Sequence, residues 1–391
     1  MSERRRIYLD NAATSWPKPE TVYRAVDRAL RQLGAPAGRG TYAEATEVER
    51  LISETRRGAA NLLGASQPRS VIFTANGTDA LNQGIHGILR PGDHVVTSVV
   101  EHNSTLRPLR QIQERHGVEV TRVPCDGAGL VDPAEIRAAI TPRTRLIALV
   151  HVSNVTGAVQ PVVEVGEIAA EHQVWYLIDA AQSLGHLPFD LAATRADLVA
   201  APGHKGLLGP LGTGILYIGP EIEPHLLPAR QGGTGTQSET DLQPATLPDR
   251  FESGNHNVPS LIGLGAGIDY VTGQGVSELY AHEQQLVELL RQGLGDIAGI
   301  KLFGPQVPQQ RAGVVSVTLA GYPPQELAVL LESSHRLQTR AGFHCAPLVH
   351  QTIGTSSSGG TLRFSVGPFT TRDDIHTAVE ALGEIAAAGP L

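Results

Sequence analysis

The strongest constraint on the fold is an alternation, between about residues 20 and 250, of short apolar runs with helical patterns. The clearest of these runs are rich in aliphatic and β-branched residues; they are 71–74, 93–97, 145–150, 175–179 and 214–218. Strands that are apolar almost throughout are buried on both faces, and the helical stretches between them supply the cover. The pattern therefore predicts an α/β domain built on a mostly parallel sheet.

The pattern changes in the last third of the chain. From about residue 260 onward, helical patterns surround two strand-like runs, 313–319 and 360–366, which is typical of a modest α+β domain. A chain of 391 residues is also too long for one ordinary core. We therefore predict a large α/β domain over 20–250 and a small α+β domain formed by 1–19 and 251–391.

Polar clusters mark where a ligand would bind in the large domain. They follow the predicted strands and occupy 74–78, 151–154, 179–182 and 203–205. The carboxyl ends of parallel strands lie at one edge of the sheet, which is the usual ligand site of such folds. A second domain at that edge would complete a cleft.

Charge and cysteine content exclude several classes of protein. A net charge of −8 gives no electrostatic reason to expect nucleic acid or an anionic membrane as a partner. No apolar run approaches the ~20 residues needed to cross a bilayer, and the basic start leads into no apolar signal core. The two cysteines, Cys125 and Cys345, are too few for a disulfide framework. We expect a cytoplasmic protein without a metal site.

Lys205 is one of only three lysines, and it is bounded by Gly203 and Gly206. Taken alone, it is more simply a surface lysine in a flexible loop. Its neighbours change that interpretation. Asp179 ends a strongly apolar strand, where a carboxylate needs a buried cation. A pyridinium nitrogen would serve as that cation, although an aspartate here could also be a helix N-cap.

Thr78 follows Gly77 at the start of a predicted helix. Its hydroxyl and the local backbone N–H groups could bind a phosphate, or Thr78 could simply cap the helix. Taken together with Gln182 and the His204-Lys205 pair, these residues favour a site for pyridoxal 5′-phosphate.

Six segments carry a resemblance to a known family: 8–14, 101–104, 151–157, 179–182, 203–205 and 250–254. They resemble the class V aminotransferase superfamily of fold-type I pyridoxal-phosphate-dependent transferases. More narrowly, they look like its cysteine desulfurase and selenocysteine lyase branch. The resemblance runs from Tyr8 to about Phe369, and the motifs stand in the family's order. It implies the same mostly parallel sheet and smaller C-terminal α+β domain.

The resemblance implies a role for each matching residue. Lys205 would carry the cofactor as a Schiff base, and Asp179 would pair with its ring nitrogen. The remaining cofactor-binding residues would be Gln182 at the ring hydroxyl, His102 stacked on the ring, and Gly77, Thr78 and His204 at the phosphate. One departure is Pro202, where many relatives have a serine that binds phosphate.

The substrate carboxylate would be held by Asn154 and Arg363. The resemblance also implies a homodimer in which Asn255 of one subunit reaches the phosphate of its partner. Relatives often have Thr-Pro-Asn here, whereas this chain has Asn-His-Asn at 255–257.

The reaction is indicated by segment 340–347, Arg-Ala-Gly-Phe-His-Cys-Ala-Pro. It resembles the loop of group II desulfurases, whose cysteine attacks the substrate sulfur, and a thiolate suits that task. The resemblance implies Lys205, Cys345 and His102 as catalytic residues, L-cysteine as substrate, and a sulfur-acceptor protein. Three alternatives stay open: selenocysteine or cystine C–S lysis, an aminotransferase or epimerase that does not use the thiol, and a non-catalytic scaffold with a decayed fold of this type. Cys345 could also be a buried structural cysteine, which is what we expect for Cys125.

Overall fold

The computed structural model describes residues 5–38 and 40–389, and its helices and strands follow from here in chain order. The strands are β1 Ile7–Tyr8, β2 Val71–Thr74, β3 His94–Ser98, β4 Glu119–Val123, β5 Thr144–Val150, β6 Trp175–Asp179, β7 Leu198–Pro202, β8 Gly214–Ile218, β9 Ile300–Phe303, β10 Val314–Leu319, β11 Leu337–Gln338, β12 Arg340–Gly342 and β13 Thr361–Ser365.

The helices alternate with the strands through most of the chain. They are α1 Glu20–Arg28, α2 Ala43–Leu63, α3 Gly77–Ile88, α4 Asn103–His116, α5 Pro133–Ala139, α6 Val162–Glu171, α7 Leu191–Thr194, α8 Val258–Gln274, α9 Val276–Gly295, α10 Pro324–His335, α11 Pro347–Thr352 and α12 Arg372–Ala388.

A seven-stranded sheet forms the centre of the molecule, in the order β2-β8-β7-β6-β5-β3-β4. The strands from β3 to β7 pair in parallel, whereas β8 runs antiparallel to both β7 and β2. The prediction of a mostly parallel sheet is confirmed. β4 was not predicted, because it is a polar edge strand whose Glu119 and Thr121 are exposed.

Both faces of this sheet are buried. Along β5, Ile147 and Leu149 pack into one hydrophobic cluster, while Leu146 and Ala148 pack into a second cluster on the opposite face. This is the alternation that a strand imposes on successive side chains. It explains why the strand is apolar at every position from 146 to 150, as the sequence pattern required.

A smaller antiparallel sheet, in the order β12-β13-β10-β9, has its own hydrophobic cluster. Leu290 of α9, Leu331 of α10 and Leu382 of α12 pack there against β10 and β13. The short strand β1 pairs in parallel with β11 and so places the N-terminal segment beside this sheet.

Helix α8 belongs with the large sheet rather than with the small one. Its Leu261, Leu264 and Ile268 lie in the same cluster as Val48 and Ala59 of α2. We therefore propose that the large domain extends to Gln274, beyond the predicted limit at 250. Residues 1–4 and 390–391 of the predicted small domain lie outside the described residues.

Within the described residues, no helix is long and apolar enough to cross a membrane, and no group of three or more His, Cys, Asp or Glu side chains is arranged to hold a metal ion. Both cysteines are free thiols. The cytoplasmic location stays a prediction.

Candidate active site

A cavity of about 210 Å³, called the inner cavity here, opens where the parallel strands end. Val150, Asp179 and Pro202 line it, and they are the last residues of β5, β6 and β7. Its wall includes most of the predicted site residues: Gly77, Thr78, His102, Asn154, Asp179, Gln182, His204, Lys205 and Arg363. The structure thus brings together residues that are up to 286 positions apart in sequence (363 minus 77).

Lys205 lies on a tight loop after β7. The loop is closed by hydrogen bonds from Gly203 N to Thr213 O (2.8 Å) and from Leu208 N to Lys205 O (2.9 Å). Gly206 must be glycine, because a Cβ there would clash with the backbone of Leu184. Burial lowers the pKa of the Lys205 amine to about 8, although Asp179 acts in the opposite direction. The amine can therefore be neutral close to physiological pH.

Asp179 is 3% exposed at the end of β6. Its Oδ1 accepts a hydrogen bond of 2.9 Å from Ala181 N. Residues 180–183 form turns, so the helix N-cap interpretation was wrong. Burial raises the pKa of this carboxyl, while the Ala181 N–H and Lys205 oppose the rise. Asp179 is thus a buried acid that a cationic partner in the cavity would stabilise in its charged form.

Unpaired hydrogen-bond donors collect at the start of α3. Asn76, not Thr78, caps this helix by accepting from Asp79 N at 2.9 Å. No hydrogen bond joins the backbone N–H groups of Gly77 and Thr78 to another described residue. His204 Nδ1 is buried and also has no partner. Such a set of donors at a helix N-terminus is suited to an anion.

Pro202 and Ser104 complete this end of the cavity. Pro202 packs against Gly77, since a Cβ on Gly77 would lie 3.1 Å from Pro202 Cδ. The Ser104 hydroxyl lies 2.7 Å from that of Thr78. Ser104 was not among the predicted site residues, although it stands within the 101–104 motif.

His102 is the N-cap of α4 and lies in the cavity wall. Its Nδ1 accepts a hydrogen bond from Ser104 N at 3.0 Å, so the ring proton of the neutral form is on Nε2. Burial, together with the nearby positive charges of Lys205, Arg340 and Arg363, lowers the pKa of His102 to about 4. The imidazole is therefore neutral at physiological pH.

Arg363, at 1% exposure, occupies the side of the cavity nearest β13. Its Nη2 donates to Asp10 Oδ1 at 2.7 Å and its Nη1 donates to Asn154 O at 3.0 Å, while its buried Nε has no partner among the residues that the structure describes. Asn154 Nδ2 in turn donates to His344 O at 2.6 Å. On the neighbouring wall, Gln182 Nε2 donates to Ala12 O at 2.8 Å.

Cys345 lies on a strained turn between β12 and α11. Both His344 and Cys345 are left-handed, with φ of 49° and 60°, a conformation that costs on the order of 1–3 kcal/mol at a residue other than glycine. Asn103 N holds the turn by donating to Cys345 O at 2.7 Å, and His344 Nε2 lies 3.0 Å from Thr361 O. Arg340 Nη2 donates to Cys345 Sγ at 3.4 Å.

Cys345 lines a second cavity of about 440 Å³, called the outer cavity here. The two cavities share Thr78, His102 and Ser104 as a wall. Arg340 and His344, the neighbours of Cys345, line the inner cavity. The thiol therefore stands at the boundary between an enclosed polar site and an opening toward solvent.

Asn255 is exposed and lies away from both cavities. It lines a separate pocket together with Arg230, Gly254 and His256. Its role at a partner's phosphate stays a prediction.

Comparison with known proteins gives a consistent result. The family described as aminotransferase class-V matches residues 7–377. A probable cysteine desulfurase of Methanothermobacter thermautotrophicus is 37% identical over 390 residues, which covers 99% of this chain and 96% of that protein. A probable cysteine desulfurase of Pyrococcus abyssi is 33% identical, with 97% and 94% covered.

Solved structures agree. The apo cysteine desulfurase of Thermococcus onnurineus superposes with a TM-score of 0.92 at 32% identity, covering 98% of this chain and 95% of that one. A cysteine desulfurase of Escherichia coli, with a cysteine in the S-sulfonic acid form, gives 0.88 at 28% identity with the same coverage.

Proposed function

The chain belongs to the class V aminotransferase family, whose members depend on pyridoxal 5′-phosphate, and from that premise we propose that it is a cysteine desulfurase. It converts L-cysteine to L-alanine and takes the sulfur onto Cys345. The observation that carries this proposal is the Cys345 turn. A free thiol is held in a strained conformation beside the cavity, with a guanidinium 3.4 Å from its sulfur.

The inner cavity fits pyridoxal phosphate. Buried Asp179 in its wall could pair with a ring nitrogen. Unpaired hydrogen-bond donors on Gly77, Thr78 and His204 could bind a phosphate. We assign Lys205 as the covalent attachment site and Asp179 as the partner of the ring nitrogen. His102 would stack on the ring and Gln182 would contact the ring hydroxyl.

When bound, the cofactor would withdraw electrons from Cα of the substrate amino acid. Lys205, released from the cofactor when the substrate amine takes its place, would then take the Cα proton as a general base; burial lowers the pKa of its free amine to about 8. The Cys345 thiolate attacks the substrate Sγ, so that a sulfur–sulfur bond forms while the Cβ–S bond breaks. The electrons of the broken bond stay with the carbon fragment, which takes up protons and leaves as L-alanine. Arg340 orients the attacking sulfur through its 3.4 Å contact.

The substrate carboxylate binds on the Arg363 side of the cavity. An arginine presents donors in a planar fork that matches a carboxylate. Two of the Arg363 nitrogens already contact Asp10 and Asn154, and Nε is unpaired. The carboxylate therefore competes with or joins Asp10 at this guanidinium.

Sulfur leaves the enzyme on an acceptor protein. The working form is a homodimer in which Asn255 reaches the partner's phosphate. Support for the dimer is the exposure of Asn255 on a pocket separate from its own inner cavity.

The Cys345→Ser variant tests the proposal. It should still bind the cofactor and L-cysteine, because Cys345 lies outside the wall of the inner cavity. Sulfide and alanine production from L-cysteine should fall by roughly 10²-fold or more, because a hydroxyl is a poor nucleophile toward sulfur. The matched control is Cys125→Ser, which should keep the parent rate. A Cys345→Ser protein that releases sulfide at the parent rate would instead indicate a C–S lyase.

A further inference from the structure

The outer cavity is a second site with its own composition. It is lined by Thr78, Asn82, His102, Asn103, Ser104, Arg107, Pro108, Gln111 and Cys345. Cys345 lines this cavity and does not line the inner cavity. None of the lining residues is acidic.

Arg107 supplies the positive charge of this cavity. It is exposed, and its side chain makes no hydrogen bond or ion pair with another described residue. The backbone N–H groups at the start of α4 are already used: Asn103 N donates to Cys345 O and Ser104 N donates to His102 Nδ1. His102 itself is neutral, since its pKa is lowered to about 4, mainly by burial. A guanidinium with no partner therefore faces the opening beside the nucleophile.

We propose that the outer cavity receives the sulfur acceptor and that Arg107 selects a thiol with a negative charge beside it. This inference rests on the proposed function and names the second substrate of the same site. In the transfer step, the acceptor thiolate attacks the terminal sulfur of the Cys345 persulfide. The bond between that sulfur and Cys345 Sγ breaks, Cys345 leaves as a thiolate, and the acceptor becomes the persulfide. No oxidant or reductant is consumed.

A cation is needed here because the persulfide and the attacking thiolate repel each other. Arg107 lies in the wall from which the acceptor approaches, and it offsets that repulsion. The Arg107 guanidinium should therefore speed sulfur transfer most for an acceptor thiol that also carries a carboxylate, and least for one that carries an ammonium group.

The test compares three thiols that carry an anionic, a neutral and a cationic end group on the same HS–CH2–CH2– unit: 3-mercaptopropionate, 2-mercaptoethanol and cysteamine. The holoenzyme is first loaded with sulfur from L-cysteine, and transfer to each thiol is then timed. The parent is compared with Arg107→Gln and with the control Arg110→Gln. Arg110 is exposed on the same helix, pairs with Glu114 at 2.6 Å and does not line the cavity. For each thiol, the transfer rate of the parent is divided by that of the variant, so that differences in intrinsic reactivity among the three thiols cancel.

We expect Arg107→Gln to slow transfer to 3-mercaptopropionate by about three- to tenfold, to slow 2-mercaptoethanol less, and to leave cysteamine unchanged or faster. The difference should shrink as NaCl is added, and Arg110→Gln should match the parent throughout. All proteins should give the same initial burst of alanine. Equal ratios for the three thiols, with the burst intact, would overturn this inference alone. Absence of the burst in the parent would overturn the proposed function and this inference with it.

Discussion

The Thr78 and Ser104 hydroxyls lie 2.7 Å apart at the end of the inner cavity where Pro202 offers no hydrogen-bond donor. The family resemblance implies a phosphate-binding serine at the position of Pro202, and under the proposed function another residue of this chain replaces that contact. Ser104 also lies 2.8 Å from His102 Nδ1, which fixes its hydroxyl in the cavity wall. The hydroxyl pair is therefore suited to supply the missing contact.

Ser104→Ala should weaken cofactor binding by about ten- to a hundredfold, the loss of one hydrogen bond to a charged group. The measurement is a titration of the apoenzyme with pyridoxal phosphate, followed by absorbance. Ser333→Ala is the control, because Ser333 is exposed on α10, where its hydroxyl donates to Leu330 O, and it lines neither cavity. An unchanged dissociation constant for Ser104→Ala would show that the phosphate does not depend on this hydroxyl.

The sequence could predict which residues line the site where those residues stand in motifs. It could not predict which side chains contact one another there. Lys205, Asp179 and His102 were singled out because they stand in segments that resemble the family, and Asp179 also because a carboxylate ends an apolar run. The pairing of Arg363 with Asp10 spans 353 positions, and the contact of Arg340 with Cys345 Sγ depends on a left-handed turn. Sequence spacing carries no information about either contact.

At the scale of elements, Glu101 ties β3 to β5 beneath the site. It is fully buried, and its Oε1 accepts from Ser98 Oγ at 2.7 Å and from Val150 N at 3.1 Å. Burial raises the pKa of this carboxyl to about 8, although the two hydrogen bonds oppose the rise. The folded protein thus keeps Glu101 protonated at a pH where an unfolded chain has released the proton.

This difference predicts a pH dependence of stability. Between the unfolded value of about 4.3 and the folded value of about 8, the folded state binds more protons, so the free energy of unfolding falls as pH rises. Glu101→Gln keeps an acceptor for Ser98 and Val150 but cannot ionise. Between pH 5 and pH 7.5, the parent should therefore lose stability faster than the variant, by on the order of 1 kcal/mol per pH unit.

Urea denaturation midpoints at the two pH values measure this effect. Parallel curves for parent and variant would mean that Glu101 ionises normally in the folded protein.

The elements were predictable where burial on both faces made a strand apolar throughout, as in β5. They were not predictable where tertiary position decided. β4 is polar because it forms the edge of the sheet, and α8 belongs with the large sheet because its apolar residues pack on α2. The local sequence pattern predicts neither the edge position of β4 nor the packing partner of α8.

At the scale of the whole molecule, the proposed dimer divides each active site between two subunits. A Lys205→Ala subunit keeps Asn255, and an Asn255→Ala subunit keeps Lys205. In a mixed dimer, one site then contains both intact residues and the other contains neither.

In the mixed dimer, one of the two sites should therefore bind the cofactor with the affinity of the parent. Both sites of the Asn255→Ala homodimer should bind it more weakly. Sedimentation should show a dimer at assay concentration. A fully active monomer, or a mixture that behaves as the sum of its two homodimers, would contradict shared sites.

The central claim is that sulfur passes from L-cysteine to Cys345, and mass spectrometry of the enzyme after a single turnover tests it most directly. With one equivalent of L-cysteine and no acceptor, the peptide containing Cys345 should gain the mass of one sulfur atom, and one alanine should form for each cysteine modified. The peptide containing Cys125 should stay unchanged. Alanine formation with no added sulfur on Cys345, or added sulfur found only on Cys125, would contradict the account.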